Sequence, residues 1–193
     1  MLSTHDTTNW AAWWENEAGT VDEALFVRKC SERGIDYASV KKRLFDPALS
    51  ARGRLRWLTV ISSSEILADM LGRPCSDIAD FVDMYENTYR EKEKLWNYFG
   101  LKGVMTEKSS AALVEKALEI TLESESVFAI NLITDYLYPE GIFKGDPYLY
   151  RINKPGSVSP ENWSLTIPVP VEKLAGLKFS EKIKKMIKSS GRA

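Results

Sequence analysis

The single histidine of the chain, His5, stands beside Asp6, and Trp10, Trp13 and Trp14 follow within ten residues. A His-Asp pair before a tryptophan cluster has the look of a site, although read in isolation it is equally a polar pair near a chain end. With no second histidine, any Ser-His-Asp or Cys-His nucleophile would have to be built on His5, and no local nucleophile signature supports that. Metal binding by one histidine is equally thin. Cys30 and Cys75 lie far apart with no partner at metal-ligand spacing and read as buried free thiols. The 11 glycines never fall into GxGxxG or GxxxxGK spacing. No cofactor and no metal are implied.

At 193 residues, with 44% hydrophobic and 27% charged residues, the chain can bury a real core. A net charge of -1 gives no polyelectrolyte argument, and only the C-terminal end offers a basic stripe. Lys182, Lys184, Lys185 and Lys188 read there as the wet face of an outer helix, so neither a nucleic acid nor a membrane is expected as a partner. Thr4 to Asn9 is polar where a signal peptide would be apolar, and no stretch approaches the roughly 20 apolar residues that span a bilayer. A cytoplasmic location is the expectation.

The elements that must position His5 and Asp6 are mostly helical. Thr20-Val21-Asp22-Glu23 reads as a capping box opening a helix that carries Leu25, Phe26 and Cys30 inward and ends at Gly34. Val40 and Leu44 mark a second helix, stopped by Asp46-Pro47. From Ala51, the residues Leu55, Leu58, Ile61, Ile66, Leu67, Met70 and Leu71 fall mostly on one helical face, which Ser62-Ser63-Ser64 can split in two. Ser76 opens a long helix with Ile78, Phe81, Val82, Tyr85, Tyr89, Leu95 and Trp96 inward and the run Arg90 to Lys94 as a solvated face. A further helix covers about 109–123, and another about 180–188, with Phe179, Ile183, Met186 and Ile187 on its apolar stripe. Val127 to Ile133, nearly unbroken in apolar residues, predicts a strand covered on both faces. Residues 138–164, rich in Pro, Gly and aromatics, have no periodicity and predict a functional loop.

Three motifs carry a resemblance. Thr4-His5-Asp6-Thr7 with Trp13-Trp14 resembles the pattern Thr-His-Asp-x-Pro-Thr after strand seven of the amylomaltases, the 4-alpha-glucanotransferases of glycoside hydrolase family 77. Arg151-Ile152-Asn153-Lys154-Pro155-Gly156 with Asn162-Trp163 looks like that family's Arg-x-Asn-x-Pro-Gly signature with Asn-Trp following. Ile133-Thr134-Asp135-Tyr136-Leu137 is similar to the end of its eighth strand. Thr8, Asn9 and Ala12 depart from the family's Pro, Thr and Gly.

The resemblance implies a fold that is mostly α with one or two strands, the C-terminal fragment of a (β/α)8 barrel with helical insertions. Residues 1–20 would be the end of strand seven and the His-Asp loop, 21–107 a helical insertion, and 108–193 the last barrel helix, strand eight, the sugar-cleft loop and a C-terminal helix. Asp6 would stabilise an oxocarbenium-like transition state, His5 would hydrogen-bond sugar hydroxyls, and Asn153 and Pro155 would line the acceptor side of the cleft. Asn162 and Trp163 would hold that loop. The implied ligand is a maltodextrin or other alpha-1,4-glucan. In this family the nucleophile and the acid/base lie on strands before the His-Asp motif, so the chain would act with a partner chain supplying those strands. The alternative is a non-catalytic helical module for interaction or carbohydrate binding, in which Trp10, Trp13, Trp14 and Trp163 either stack on sugars or serve as core.

Overall fold

The computed structural model describes residues 2–192, and they divide into two compact units. One is Asn16–Leu95; the other joins the residues up to Glu15 to those from Trp96 onward.

In the Asn16–Leu95 unit, β1 (Thr20–Asp22), β2 (Phe45–Ala51) and β3 (Arg54–Trp57) form an antiparallel sheet in the order β1-β3-β2. Around it stand α2 (Glu23–Glu32), α3 (Tyr37–Leu44), α4 (Ser64–Leu71) and α5 (Ala79–Thr88), numbered after α1 (Trp10–Asn16), and the first residues of α6 (Glu91–Tyr98). The sheet corrects two expectations. Leu55 lies on a strand, not on a helix, and among the described residues three strands replace one or two. Arg54-Leu55-Arg56-Trp57 alternates, so Leu55 and Trp57 are buried while the arginines are half-buried. Arg52 and Gly53, with φ of 56° and 73°, make the left-handed turn that matches the twist of a two-residue hairpin.

The cap of α2 differs from the expected capping box. Asp22, rather than Thr20, caps α2 by accepting the Leu25 N–H at 2.8 Å, and Thr20 sits in β1. Gly34 and Gly72 follow α2 and α4 in left-handed conformation, which glycine adopts without strain. The long helix expected from Ser76 to Trp96 is instead a 3-10 turn (Cys75–Ile78), α5 and α6, broken where Arg90 turns left-handed at φ 52°. Nor is the charged run after it wholly solvated. Lys92 is buried, and the half-buried Glu91 carboxylate accepts the Gly19 N–H at 2.7 Å, with burial pushing its pKa up. The core gathers Val21, Phe26, Leu44, Phe45, Leu55, Trp57, Phe81 and Tyr85. Cys30 is buried there, its thiol pushed up to about 11 by desolvation, whereas Cys75 is only half-buried, contrary to expectation.

The other unit is helical. α7 (Ala111–Glu123) starts where the Ser110 hydroxyl accepts the Leu113 N–H at 3.2 Å, and it buries Leu113, Val114, Ala117, Leu118 and Leu122 at helical spacing. α8 (Ile133–Leu137), α9 (Val171–Leu174) and α10 (Lys178–Ser189) follow. On α10, Phe179 is buried and the four predicted lysines are exposed. No helix among the described residues is long and apolar enough to cross a membrane.

The strand expected over Val127 to Ile133 does not form. Residues 127–132 carry no ladder, and Val127, Phe128 and Ile130 are 83%, 78% and 64% exposed. A strand needs neighbours to satisfy its backbone groups, and no described segment pairs here. The Arg192 guanidinium donates instead to the carbonyls of Ser124, Ser126 and Val127.

On α8, Thr134 is 2% exposed and its hydroxyl finds no hydrogen-bond partner among the described residues. Thr134→Val keeps the shape and removes the unpaired hydroxyl, so it should raise stability by about 1 kcal/mol in a denaturant melt.

Candidate functional site

His5 and Asp6 are the two central residues of a tight turn. The Thr7 N–H donates to the Thr4 carbonyl at 3.1 Å, and the Thr4 N–H to the Thr7 hydroxyl at 2.9 Å. Such a turn lifts its central side chains into solvent, and those of His5 and Asp6 are 52% and 48% exposed, with Nε2 and Oδ2 3.4 Å apart.

The turn is fastened to the second motif. The Asn153 amide donates to Asp6 Oδ1 at 2.6 Å, and its backbone N–H donates to the His5 carbonyl at 3.0 Å. Arg151 clamps both segments: one guanidinium nitrogen donates to the Asp6 carbonyl at 2.9 Å and Nε to the Asn153 carbonyl at 2.8 Å. The planar fork of arginine suits two carbonyls at once. Residues 147 apart in sequence are thereby brought together. Arg151 was legible as part of a motif, but nothing in its type announced this bracing role.

Beyond Asn153 the loop is exposed at Lys154, Pro155 and Gly156. Pro155 stands on its outer surface. Asn162 closes the loop from within, accepting the Lys154 N–H and donating to the Ser157 carbonyl, each at 3.0 Å. The Trp163 N–H reaches the Ile152 carbonyl at 2.8 Å, while its indole stands 64% exposed with its centre 5.0 Å from that of the His5 ring. Trp163 adopts φ 62°, a conformation that a bulky residue occupies at a cost of about 1–3 kcal/mol.

Behind the turn, Asp135 anchors the segment. It is 1% exposed, accepts the Ser3 hydroxyl, and takes the Trp10 N–H at 2.8 Å where α1 begins. Burial pushes its carboxyl above the ordinary range against the pull of these hydrogen bonds. Asn9, despite standing where the resemblance has Thr, caps α1 by accepting the Ala12 N–H at 2.9 Å and ties to the Pro147 carbonyl at 2.7 Å. Trp10 and Trp14 are buried, stacked with ring centres 5.7 Å apart, and so are core. Among the described residues no three His, Cys, Asp or Glu side chains gather where a metal could sit.

The arrangement presents a carboxylate, an imidazole and an indole side by side on an exposed, internally braced surface, suited to a ligand with hydroxyls and an apolar face. A family model described as 4-alpha-glucanotransferase matches residues 1–170. The 4-alpha-glucanotransferase of Chlamydia trachomatis serovar D is 40% identical over 60 residues, 30% of this chain and 11% of that protein. That of Chlamydia pneumoniae is 40% identical over 73 residues, 36% of this chain and 14% of that protein. The matched stretches thus span well under a fifth of these relatives. No solved structure matches. Because the family match runs through both the His5-Asp6 turn and the Arg151-Asn153 clamp that holds it, the chain belongs to the 4-alpha-glucanotransferase family.

Proposed function

We propose that this chain forms the Asp6 side of an alpha-1,4-glucan transfer site, contributing to a 4-alpha-glucanotransferase of retaining mechanism. The observation that carries the reading is the Asn153 amide held on the Asp6 carboxylate at 2.6 Å, which fixes an exposed anion without burying it. A fixed carboxylate beside an incoming sugar ring stabilises positive charge as it develops at the anomeric carbon. His5 offers a hydrogen bond to sugar hydroxyls, and Asn153 and Pro155 border the acceptor side.

Retaining transfer also needs a nucleophile and an acid about 5 to 5.5 Å apart. The resemblance puts both on strands before the His-Asp motif. Asp6 by itself cannot both attack and protonate, so the chain alone turns nothing over. A partner bearing the remaining strands of a (β/α)8 barrel would complete the site beside the His5-Asp6 turn. The exposed apolar side chains of Val127, Phe128 and Ile130, close together in sequence, support such a partner.

The test is disproportionation of maltotriose, read as glucose release, with the purified chain alone and after mixing with lysate from its source. Alone, no glucose should form; with lysate, the wild-type chain should add activity, and Asp6→Asn should lower that increment about 100-fold or more. Glucose from the purified chain would overturn the division of labour. An unchanged increment with Asp6→Asn would remove Asp6 from the reaction.

A further inference from the structure

We propose that the indole of Trp163 is a stacking platform for a glucose ring of the bound maltodextrin, set beside His5. The inference rests on the reading of His5 and Asp6 as a sugar site and adds a ring-binding residue to it. The sequence has six tryptophans, and composition cannot separate platforms from core. Burial can. Trp10, Trp14 and Trp57 are 5%, 0% and 6% exposed, whereas Trp163 is 64% exposed.

An exposed indole is informative here because its backbone is fixed. Trp163 donates its N–H to the Ile152 carbonyl, and Asn162 beside it braces the loop from within, so the ring does not swing freely on a loose end. Its left-handed φ of 62° is a conformation that glycine would adopt without strain, yet a bulky aromatic is held there facing solvent. The indole thus contributes neither core packing nor a relaxed backbone.

The neighbours select the ligand chemistry. The His5 ring centre lies 5.0 Å from the indole, and Asp6 Oδ2 lies 3.4 Å from His5 Nε2. A pyranose offers what this row requires: C–H groups for the apolar face, and hydroxyls at the ring edge for the imidazole and the carboxylate. A purely apolar ligand would leave Asp6 and His5 unanswered, and a nucleotide would bring its phosphates toward the Asp6 anion.

The test titrates the full chain with maltoheptaose and follows the indole N–H resonances, with affinities from calorimetry. The Trp163 signal is the one missing from Trp163→Gly. That variant relieves the left-handed strain, so it should fold at least as well as wild type by circular dichroism while lacking the ring. We expect the Trp163 signal to shift with maltoheptaose, Trp163→Gly to bind about tenfold more weakly, and Trp163→Tyr to restore most of the affinity. If Trp163→Gly binds like wild type while Asp6→Asn binds more weakly, the platform is overturned and the sugar site stands. Equal weakening by Gly and Tyr would also overturn it, since a ring would then not matter. If wild type binds no maltoheptaose, the sugar-site reading itself fails, and the platform with it.

Discussion

Phe26→Ala should lower the stability of the Asn16–Leu95 unit by about 4 kcal/mol, within the range for truncating a buried aromatic. Phe26 is fully buried and meets Phe45, Phe81 and Trp57 edge-on, with ring centres 4.9, 5.1 and 6.1 Å away. Those three rings come from β2, α5 and β3, so one side chain joins both strands of the hairpin to a helix. Edge-to-face pairs add roughly 0.5–1.5 kcal/mol each beyond area burial, and rigid rings are poor at collapsing into a hole. Domains are stable by only about 5–15 kcal/mol, so the loss would bring this unit close to unfolding. Hydrogen exchange at the β3 amides, followed through a urea titration, reads the loss in this unit. A loss below about 1 kcal/mol would show that the neighbours repack around alanine.

Asp135→Ala should cost about 3 kcal/mol in the other unit. The truncation leaves the Ser3 hydroxyl and the Trp10 N–H without their acceptor in a buried place, at roughly 1–3 kcal/mol for each. Asp135→Asn should be far milder, because an amide can still accept from Trp10 and donate to the Ser3 oxygen. The two variants also separate charge from hydrogen bonding through pH. Burial raises the folded-state pKa of Asp135 above its unfolded value. The carboxyl's contribution is therefore fully present below the ordinary carboxylate range and is lost as pH rises through the raised pKa. Stability of wild type should fall across that window, and Asp135→Asn should remove that part of the slope. A denaturant series at several pH values measures both; identical slopes in wild type and Asp135→Asn would show that Asp135 does not titrate differently on folding.

Helices whose apolar residues recur every three to four positions were legible from the sequence: α2, α3, α7 and α10 stand where the spacing puts them, with Phe26, Cys30, Val40, Leu44 and Leu118 inward. The hairpin was hidden because Leu55, Leu58 and Ile61 happen to satisfy helical spacing too. Its own signals were the four-residue alternation at Arg54 to Trp57 and a glycine at 53, both short. Arg90 carries no turn chemistry at all, so the break between α5 and α6 is set by packing rather than by local preference. At the site, the resemblance named His5, Asp6 and Asn153, but which way the Trp163 ring faces depends on a left-handed backbone that nothing in its type marks. The apolar run at 127–132 shows the converse limit, for strand propensity is realised only when a neighbouring strand is there to pair.

The unit that carries the site is discontinuous, and that dictates an order of events during synthesis. The Asp6 carboxylate waits for Asn153, 147 residues later, and the Trp10 N–H waits for Asp135, 125 residues later. At about 5–20 residues per second, this segment spends roughly 6 to 30 seconds without its partners. The Asn16–Leu95 unit has all its contacts at hand before Asn153 is made. It can therefore fold first and shorten the loop that Ser3, Asp6 and Trp10 must close, so the site forms only after that unit is made.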